Sequence, residues 1–461
     1  MEKTRILFIN AIDFRKEIER CYPPLGLGYL AASLRQRFGN DFFQFKIINR
    51  AVEEEIKKFK PDLVGISSVS QNYNLAIEYA RTAKKYHRPV IIGGFHISMM
   101  SSSLTKDMEV GIIGEGEETI CELLESFERK KRFDWGEMQK IKGVIYWGDK
   151  DKIIFTGRRD LIYPLDKIPL PARDLFEIQK NTYVFSSRGC PYRCTFCASS
   201  RFWDRVRLFS AEYVVNEIQH LIDKYNVKYI SFYDDLFVVN PDRVRQIVNL
   251  LKIKNILGKV EFWCAIRADL VKDEIIGLLR EMGVRAVGLG FESGDNDTLK
   301  YLKGDIIDIK DNENAVRIIK KYNLEIHGSF IIGSPKEKKE DILKTLRFIK
   351  KSRLTGFDIH VLFPLPGTPV WDYARTRGLV NEKMDWFRLK EDFADNHDSA
   401  IILSEKLTRE EIYGLFLRFK RYQKRRKIYN LVKKGLRNPL RIPDFLIRKI
   451  RKYWGRDGKI N

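Results

Sequence analysis

Short apolar runs alternate with amphipathic segments along most of the chain, and this alternation constrains the fold more than any other feature. Over the first third it predicts five strands, which are RILFIN (5–10), FQFKIIN (43–49), LVGISS (63–68), PVIIGG (89–94) and VGIIG (110–114). Short apolar strands separated by helices favour a parallel sheet with helices on both faces. The sequence therefore predicts an α/β fold that begins with a doubly wound, Rossmann-like domain over residues 1–135.

A second series of strands and helices follows a hairpin and linker, which we place at residues 136–181. Its predicted strands are VFSSRG (184–189), VKYISFYDD (227–235), KVEFWCAIR (259–267), VRAVGLGFES (284–293), LEIHGSFIIG (324–333) and GFDIHVLFPLPG (356–367). These six strand–helix units predict an incomplete relative of the eight-fold barrel, a partial (β/α)6 barrel over residues 182–380. Active sites in such barrels lie at the carboxyl ends of the strands.

The basic charge is concentrated at the end of the chain. The net charge is +22, and residues 406–461 contain 19 Lys or Arg against 4 Asp or Glu. We predict a basic helical C-terminal region over 381–461, with two helices in 407–454 broken at Asn438–Pro439 and at Pro443. Such helices favour docking to an anionic membrane surface, with a solvated helix that covers the barrel end as the alternative. Nucleic acid is a weaker expectation because no RNA-binding module accompanies the charge.

The sequence contains no run of 18 apolar residues, so it predicts no membrane-spanning helix. The opening MEKTRILFIN lacks the long apolar core of a secretory signal and favours a first strand instead. We therefore expect a cytoplasmic protein, with a peripheral position on the inner membrane face if the basic region binds lipid.

Three cysteines lie within eight residues, in the segment CPYRCTFC that contains Cys190, Cys194 and Cys197. Thiolates are the ligands that iron–sulfur clusters require, and such clustering favours metal binding over disulfides in a reducing compartment. Three protein ligands would leave one corner of a four-iron cluster free to bind another molecule. The residues alone leave two alternatives open: a zinc site with a distant fourth ligand, and an electron-transfer cluster with four protein ligands.

CPYRCTFC resembles the CxxxCxxC signature of radical S-adenosylmethionine (SAM) enzymes, with Phe196 as the aromatic residue that often precedes the third cysteine. The resemblance implies a [4Fe–4S] cluster on the three cysteines, whose open iron chelates the amino and carboxyl groups of SAM. One electron from a low-potential donor such as ferredoxin or flavodoxin then breaks a C–S bond. The resulting 5′-deoxyadenosyl radical abstracts hydrogen from an unactivated C–H bond.

The resemblance also implies cofactor-binding roles for residues at the ends of two barrel strands. Glu292 in the segment GFES is the candidate for the ribose hydroxyls of SAM, with Ser293 beside it. Arg267 is the candidate for the methionine carboxylate, with a surface ion pair to Asp269 or Asp273 as the alternative. The second barrel strand ends in two aspartates, of which we expect at least one to face the site.

The segment YPPLGLGYL (22–30) opens the first helix of the first domain. Ahead of such a barrel, this domain resembles the cobalamin-binding domain that many radical SAM enzymes carry. The resemblance implies cobalamin contacts from hydroxyls, glycines and the proline turn; His96 is expected to line the loop without binding cobalt. The candidates are Pro24, Gly26, Ser68, Ser70, Gly93, Gly94 and His96. The loop AIDFRKEIERCYPPLG (11–26) contains no histidine, which implies cobalt without a lower histidine ligand or a domain that has lost cobalamin.

The resemblance implies a cobalamin-dependent radical methyltransferase that acts on an unactivated carbon of a small molecule or lipid. A cyclase or rearrangement enzyme without net methylation is the second hypothesis. A methylthiotransferase is disfavoured, because that family has three additional cysteines in its first domain, where this chain has only Cys21 and Cys121. A non-catalytic, metal-stabilised module that docks on membranes is the hypothesis from another class.

Overall fold

The computed structural model describes residues 3–13, 23–389, 393 and 397–436. Two sheets with flanking helices, one fully parallel and one parallel over its first five strands, form its core, so the predicted α/β class, with a doubly wound first domain and a partial barrel, is confirmed. The alternating apolar pattern arises from burial on both faces: four consecutive residues of the first strand, Ile6–Ile9, are at most 1% exposed. Parallel strands covered by helices on both sides require such runs.

The first sheet has the strand order β2-β1-β3-β4-β5-β6-β7. Its strands are β1 (Thr4–Ala11), β2 (Phe43–Ile48), β3 (Leu63–Ser68), β4 (Val90–Gly93), β5 (Val110–Ile112), β6 (Val144–Trp147) and β7 (Ile153–Phe155). Its helices are α1 (Leu25–Phe38), α2 (Val52–Phe59), α3 (Tyr73–Lys85), α4 (Phe95–Met99), α5 (Glu117–Lys130) and α6 (Trp135–Met138). Strands β1 to β5 are parallel, and the predicted hairpin β6–β7 joins β5 antiparallel, which extends the sheet.

The second sheet is an open, fully parallel six-stranded sheet of order β8-β11-β12-β13-β14-β15. Its strands are β8 (Asn181–Val184), β11 (Tyr229–Phe232), β12 (Glu261–Ile266), β13 (Val284–Glu292), β14 (Glu325–Ile332) and β15 (Gly356–Val361), and the short strands β9 (Ser187–Arg188) and β10 (Arg207–Leu208) pair apart from it. The helices are α7 (Ser199–Phe202), α8 (Ala211–Tyr225), α9 (Pro241–Ile253), α10 (Asp273–Met282), α11 (Asn296–Lys303), α12 (Ile309–Lys321), α13 (Lys339–Ser352), α14 (Pro369–Thr376) and α15 (Arg409–Leu436).

The predicted first barrel strand, VFSSRG (184–189), is wrong in position, because β8 ends at Val184. The Asp234 carboxylate accepts hydrogen bonds from the backbone N–H groups of Ser186 and Ser187, at 2.6 and 3.0 Å. The Arg243 guanidinium binds the Ser186 carbonyl oxygen at 2.8 Å. These side chains thus bind the backbone N–H and carbonyl groups that would pair with the neighbouring strand if β8 continued, and the chain turns away from the sheet.

Beyond β15 the chain returns to the first domain, so residues 381–389 and 397–404 do not belong to a basic helical region as the sequence predicted. Trp371 and Trp386 are each 3% exposed and stack with their ring centroids 5.8 Å apart. They pack in one cluster with apolar residues of the first sheet, including Val64 and Ile92. The aromatic and aliphatic residues of this segment therefore cover a face of the first domain.

Helix α15 packs along the edge strand β15. Ile412, Phe416 and Phe419 are fully buried against the barrel, and the Gln423 amide donates to the Phe357 carbonyl oxygen. Further along the helix, Asn430 donates to the Thr355 carbonyl oxygen at 3.2 Å, so the helix runs antiparallel to β15 and its basic stretch reaches the amino-terminal end of the barrel. The covering-helix alternative therefore applies to 409–430. The second predicted helix, around 445–454, lies outside the described residues.

No helix within the described part of the chain combines the length and the apolar character that crossing a membrane requires.

Candidate functional site

A cavity of ≈ 480 Å³ lies where the carboxyl ends of the two sheets face each other. Asn10, Ser67, Gly93 and Gly114 line it at the ends of β1, β3, β4 and β5. The opposite wall comes from the end of β8 and from the segments that follow β8 and β11 in the barrel, namely Tyr183, Phe185, Ser187, Arg188, Tyr233 and Asp235. Ligands of open α/β sheets and of barrels bind beyond the carboxyl ends of the strands, and here both rules indicate one cavity.

Glycines give the first-domain wall an open surface. A Cβ added at Gly26, Gly93 or Gly114 would have no atom within 4 Å, so each position faces empty space. Gly94 differs: its φ is +98°, and a Cβ there would lie 2.7 Å from the Ser68 carbonyl oxygen, so only glycine fits. A large planar cofactor needs such a side-chain-free wall, and the predicted residues Pro24, Gly26, Gly93 and Gly94 all line it.

Ser68, Ser70 and His96, by contrast, do not line the cavity. The His96 ring is fully buried, with Nδ1 3.0 Å from the Ser70 hydroxyl and Nε2 3.0 Å from that of Ser103. It stacks on Tyr73 with ring centroids 3.8 Å apart. Burial lowers the pKa of His96 to about 3, so the ring is neutral and serves the packing of the domain.

The cysteine loop lies between β9 and α7, at the carboxyl end of the barrel. The backbone N–H of Thr195, within the loop, donates to the Leu302 carbonyl oxygen at 2.9 Å, and its hydroxyl donates to that of Tyr301 at 3.0 Å. The loop is thus anchored on the end of α11. Cys190, Cys194 and Cys197 are each partly buried, whereas Cys264 is buried inside the barrel.

The three cysteines supply the donor set that an iron–sulfur cluster requires. Among the described residues, no three Cys, His, Asp or Glu side chains come close enough to bind one metal ion. Phe196, between the second and third cysteines, packs against the apolar cluster of the first domain.

Arg267 follows β12 and lies beside the cysteine loop. Its Nη1 is 3.6 Å from the Sγ of Cys194, and its guanidinium stacks over the Tyr192 ring with the Cζ 3.8 Å from the centroid. The Nε donates to Asp269 at 2.7 Å, so the ion pair considered as the alternative is present. The Nη2 is buried without a hydrogen-bond partner. The side chain is 6% exposed, and its Nη2 is the one guanidinium nitrogen without a contact, so it remains available to an anionic group.

Glu292 ends β13 in a left-handed conformation, with φ at +60° and a register shift in the strand pairing beside it. Its carboxylate folds back over Gly290, where a Cβ would lie 2.1 Å from Oε1. The buried Lys303 ammonium lies 3.3 Å from it. Ser293 is buried, with its hydroxyl 3.2 Å from that of Thr345. Neither residue of the predicted pair lines the cavity.

The structure separates the roles of the two aspartates that follow β11. Asp234 is 5% exposed and binds the segment after β8, as described above. Asp235 lines the cavity instead.

Sequence reasoning missed several cavity residues, among them Gly65, Arg188 and Trp203. The face that β3 presents follows from alternation, because Gly65, Ser67 and Val69 line the cavity while Ser68 and Ser70 do not. Gly65, two residues before Ser67, lies on the same face of β3, and a glycine in a strand was an available signal that this face borders the cavity. Arg188 and Trp203 belong to loops whose conformation the sequence does not specify.

The order of the two domains agrees with two family models. The model described as the B12 binding domain matches residues 13–124, and that of the radical SAM superfamily matches residues 184–349. An uncharacterized methyltransferase of Pyrococcus horikoshii is 32% identical over 385 residues, which cover 79% of this chain and 81% of the relative. The chain belongs to the cobalamin-binding radical SAM enzymes.

Two further proteins are similar to this chain at lower sequence identity. An anaerobic magnesium-protoporphyrin IX monomethyl ester cyclase of Cereibacter sphaeroides is 22% identical, over 94% of this chain and 72% of its own. The solved structure of the cobalamin-dependent SAM radical enzyme OxsB, with aqua-cobalamin and SAM bound, superposes with a TM-score of 0.70 at 16% identity. The superposition covers 98% of this chain and 75% of the OxsB chain. For cobalamin-binding radical SAM enzymes the cofactors are a [4Fe–4S] cluster, SAM and cobalamin, which agrees with the sequence-based prediction.

Proposed function

We propose that this radical SAM enzyme is a methyltransferase that adds a methyl group to an unactivated carbon of a small molecule. The observation that carries the proposal is the shared cavity. Its one wall is the glycine-lined edge of the cobalamin-binding domain, and its other wall is the barrel edge next to the cysteine loop. A substrate in this space would contact both cofactors at once, as transfer of a methyl group to a carbon radical requires.

Residues of the cavity wall and residues at or near the cysteine loop have separate roles in the proposal. Cys190, Cys194 and Cys197 bind the cluster; Arg267 directs its free Nη2 donor at the SAM carboxylate, and Glu292 receives the ribose hydroxyls after its carboxylate turns from Lys303. Pro24, Gly26, Gly93 and Gly94 form the corrin-facing wall. When bound, the cofactors supply a radical that removes hydrogen from the substrate and a methyl group that replaces it. The aromatic side chains Phe185, Phe202 and Tyr233 restrict the access of water.

We also propose the partners that this chemistry needs. A low-potential protein such as ferredoxin or flavodoxin supplies the electron. The basic stretch of α15 binds an anionic surface, and a lipid membrane fits that charge best. If so, the enzyme is cytoplasmic with a peripheral membrane position, and a lipid becomes a candidate substrate. Retention of the protein on vesicles with and without phosphatidylserine, at low and high salt, tests this placement.

A second candidate function is ring closure or rearrangement without net methylation. The similarity to the magnesium-protoporphyrin ester cyclase, over 94% of this chain, supports this second candidate.

Anaerobic reconstitution with iron, sulfide and cobalamin tests both candidates. The reconstituted protein should show corrinoid absorbance and convert SAM to 5′-deoxyadenosine when reduced. A product heavier than the substrate by one CH₂ supports methylation, whereas an unchanged carbon count supports the second candidate. Protein that releases no 5′-deoxyadenosine under these conditions would contradict both and favour the non-catalytic module.

A further inference from the structure

Two turns of the cobalamin-binding domain make buried polar contacts with the segment that leads into the cysteine loop. The first turn, Gly114–Glu117, follows β5, and the second, at Pro23–Leu25, opens α1; both line the cavity. The barrel segment Tyr183–Arg188 meets both turns. Because Cys190 is two residues beyond Arg188, whatever holds this segment also holds the first cluster ligand.

Four charged side chains form the contact with the first turn. Arg188 donates from Nη1 to Glu115 and from Nη2 to Glu117. Arg207, on the paired strand β10, donates to both oxygens of Glu115, at 2.7 and 3.0 Å. The exposed fractions are 11% for Arg188, 1% for Arg207, 3% for Glu115 and 8% for Glu117. The two positive and two negative charges balance, so the network stays buried without an unpaired ion.

The contact with the second turn is smaller. The Tyr183 hydroxyl donates to the Pro23 carbonyl oxygen at 2.7 Å, and the Leu25 N–H approaches the same hydroxyl at 3.4 Å. Arg188 also lies over the Tyr29 ring of α1, with the Cζ 5.5 Å from its centroid. The segment before Cys190 is therefore fixed at two points of the corrin-facing wall.

We infer that Glu115 and Glu117 are positioning residues that set the separation between the cluster and the cobalamin, through Arg188 and the chain that leads to Cys190. The inference rests on the proposed function, since it assumes that both cofactors are bound. Bidentate pairs between guanidinium and carboxylate groups constrain orientation as well as distance, and buried pairs are weakly screened by salt. The four charges would thus keep two separately folded cofactor sites in register during the reaction.

The test is the distance between the reduced cluster and cob(II)alamin, measured by pulsed dipolar electron paramagnetic resonance on the anaerobically loaded enzyme. Glu115→Gln and Glu117→Gln should each broaden the distance distribution and lower kcat by about 10²-fold, the order of effect of a 1 Å misplacement, with the KM for SAM unchanged. Glu118→Gln is the matched control, because Glu118 is 51% exposed and pairs with Arg159.

Unchanged distance distributions in both variants would overturn the inference. If Glu115→Gln does not fold, Glu117→Gln leaves the Glu115 contacts in place and still gives the test. A protein that binds no corrinoid would contradict the proposed function alone. In that case, nitroxide labels carried by unnatural amino acids at the exposed positions Lys58 and Ile253 measure the same separation between the domains without either cofactor. A pair distance equal in variant and parent would again overturn the inference.

Discussion

The Arg267 guanidinium and the Cys194 thiol are in contact, with Nη1 3.6 Å from Sγ. The contact places a buried cation next to one predicted ligand of the cluster, while Nη2 has no hydrogen-bond partner. A thiolate bound to iron would be stabilised by this charge, and an anionic group entering the site would meet an oriented donor. One arginine thus connects the cluster loop to the proposed carboxylate site of SAM.

Arg267→Met should therefore weaken the binding of SAM by roughly 10- to 100-fold, since a hydrogen bond to a charged group contributes about 1.5–3 kcal/mol. Equilibrium binding of SAM to the anaerobic, cluster-loaded protein measures the effect. Arg285→Met is the control, because Arg285 is 56% exposed and pairs with Glu261 at the other end of the barrel. Equal affinities of the Arg267 variant and the parent would contradict the assignment.

Replacement of each loop cysteine by alanine should abolish the cluster. Cys190→Ala, Cys194→Ala and Cys197→Ala each remove one of three protein ligands, which leaves too few thiolates to bind four irons. Cys264→Ala should retain it, because Cys264 is 0% exposed within the barrel core. Iron and sulfide content with the absorbance spectrum after reconstitution measures the outcome. An iron-replete Cys194→Ala protein would exclude the predicted ligand set.

A leucine at Gly26 should block cobalamin without unfolding the domain. A Cβ at this position meets no atom within 4 Å, so the side chain would extend into the cavity. Gly414→Leu is the matched control: it also meets no atom within 4 Å and lies in a helix, but outside the cavity. Leucine is a better helix former than glycine by up to about 1 kcal/mol, so neither variant should lose stability. Corrinoid absorbance retained by the Gly26 variant would disprove the assigned wall.

The buried His96 predicts a loss of stability in acid. Burial lowers its pKa from 6.5 to about 3, so below pH 6.5 the unfolded chain takes up a proton that the folded chain does not. This group alone should lower the free energy of unfolding by about 1.4 kcal/mol at pH 5.5, and the loss should continue as the pH falls towards 3. His96→Gln should remove that part of the pH dependence.

Urea unfolding of the cofactor-free protein at pH 7.5 and 5.5 measures the difference. His220→Gln, at an exposed position of α8, is the control and should keep the parent's pH dependence. A His96 variant with the parent's pH dependence would show that the ring is accessible to protons in the folded state.

The sequence predicts regular elements well wherever one physical rule decides them. Strand β3 begins and ends at the predicted residues, and helix α1 begins within the predicted segment 22–30, because apolar periodicity and flanking turns fix these positions. Prediction fails where a distant side chain competes for the backbone: β8 ends early because Asp234, about 50 residues later in the chain, binds the N–H groups of Ser186 and Ser187. No local pattern contains that information.

The residues of the candidate site likewise fall into those that the sequence predicts and those that only the folded structure brings together. The three loop cysteines lie within eight residues of one another, so their spacing alone indicates iron–sulfur chemistry. Arg188 and Trp203, in contrast, reach the cavity only through the pairing of β9 with β10 and the docking of the two domains. Ser68 and Ser70, which were predicted as cofactor contacts, do not line the cavity, whereas Gly65 and Ser67 do, because alternate residues of a strand face opposite sides of the sheet.

The segment that follows the barrel and packs on the first domain limits how the chain could be recombined. Trp371, Trp386 and Leu389 are buried with residues of the first sheet, although they follow the last barrel strand, β15, in the chain. A chimera that exchanged only residues 1–135 would pair this segment with a foreign surface and expose its tryptophans. A functional chimera therefore has to exchange both stretches together, because two separate parts of the sequence form the packed first domain.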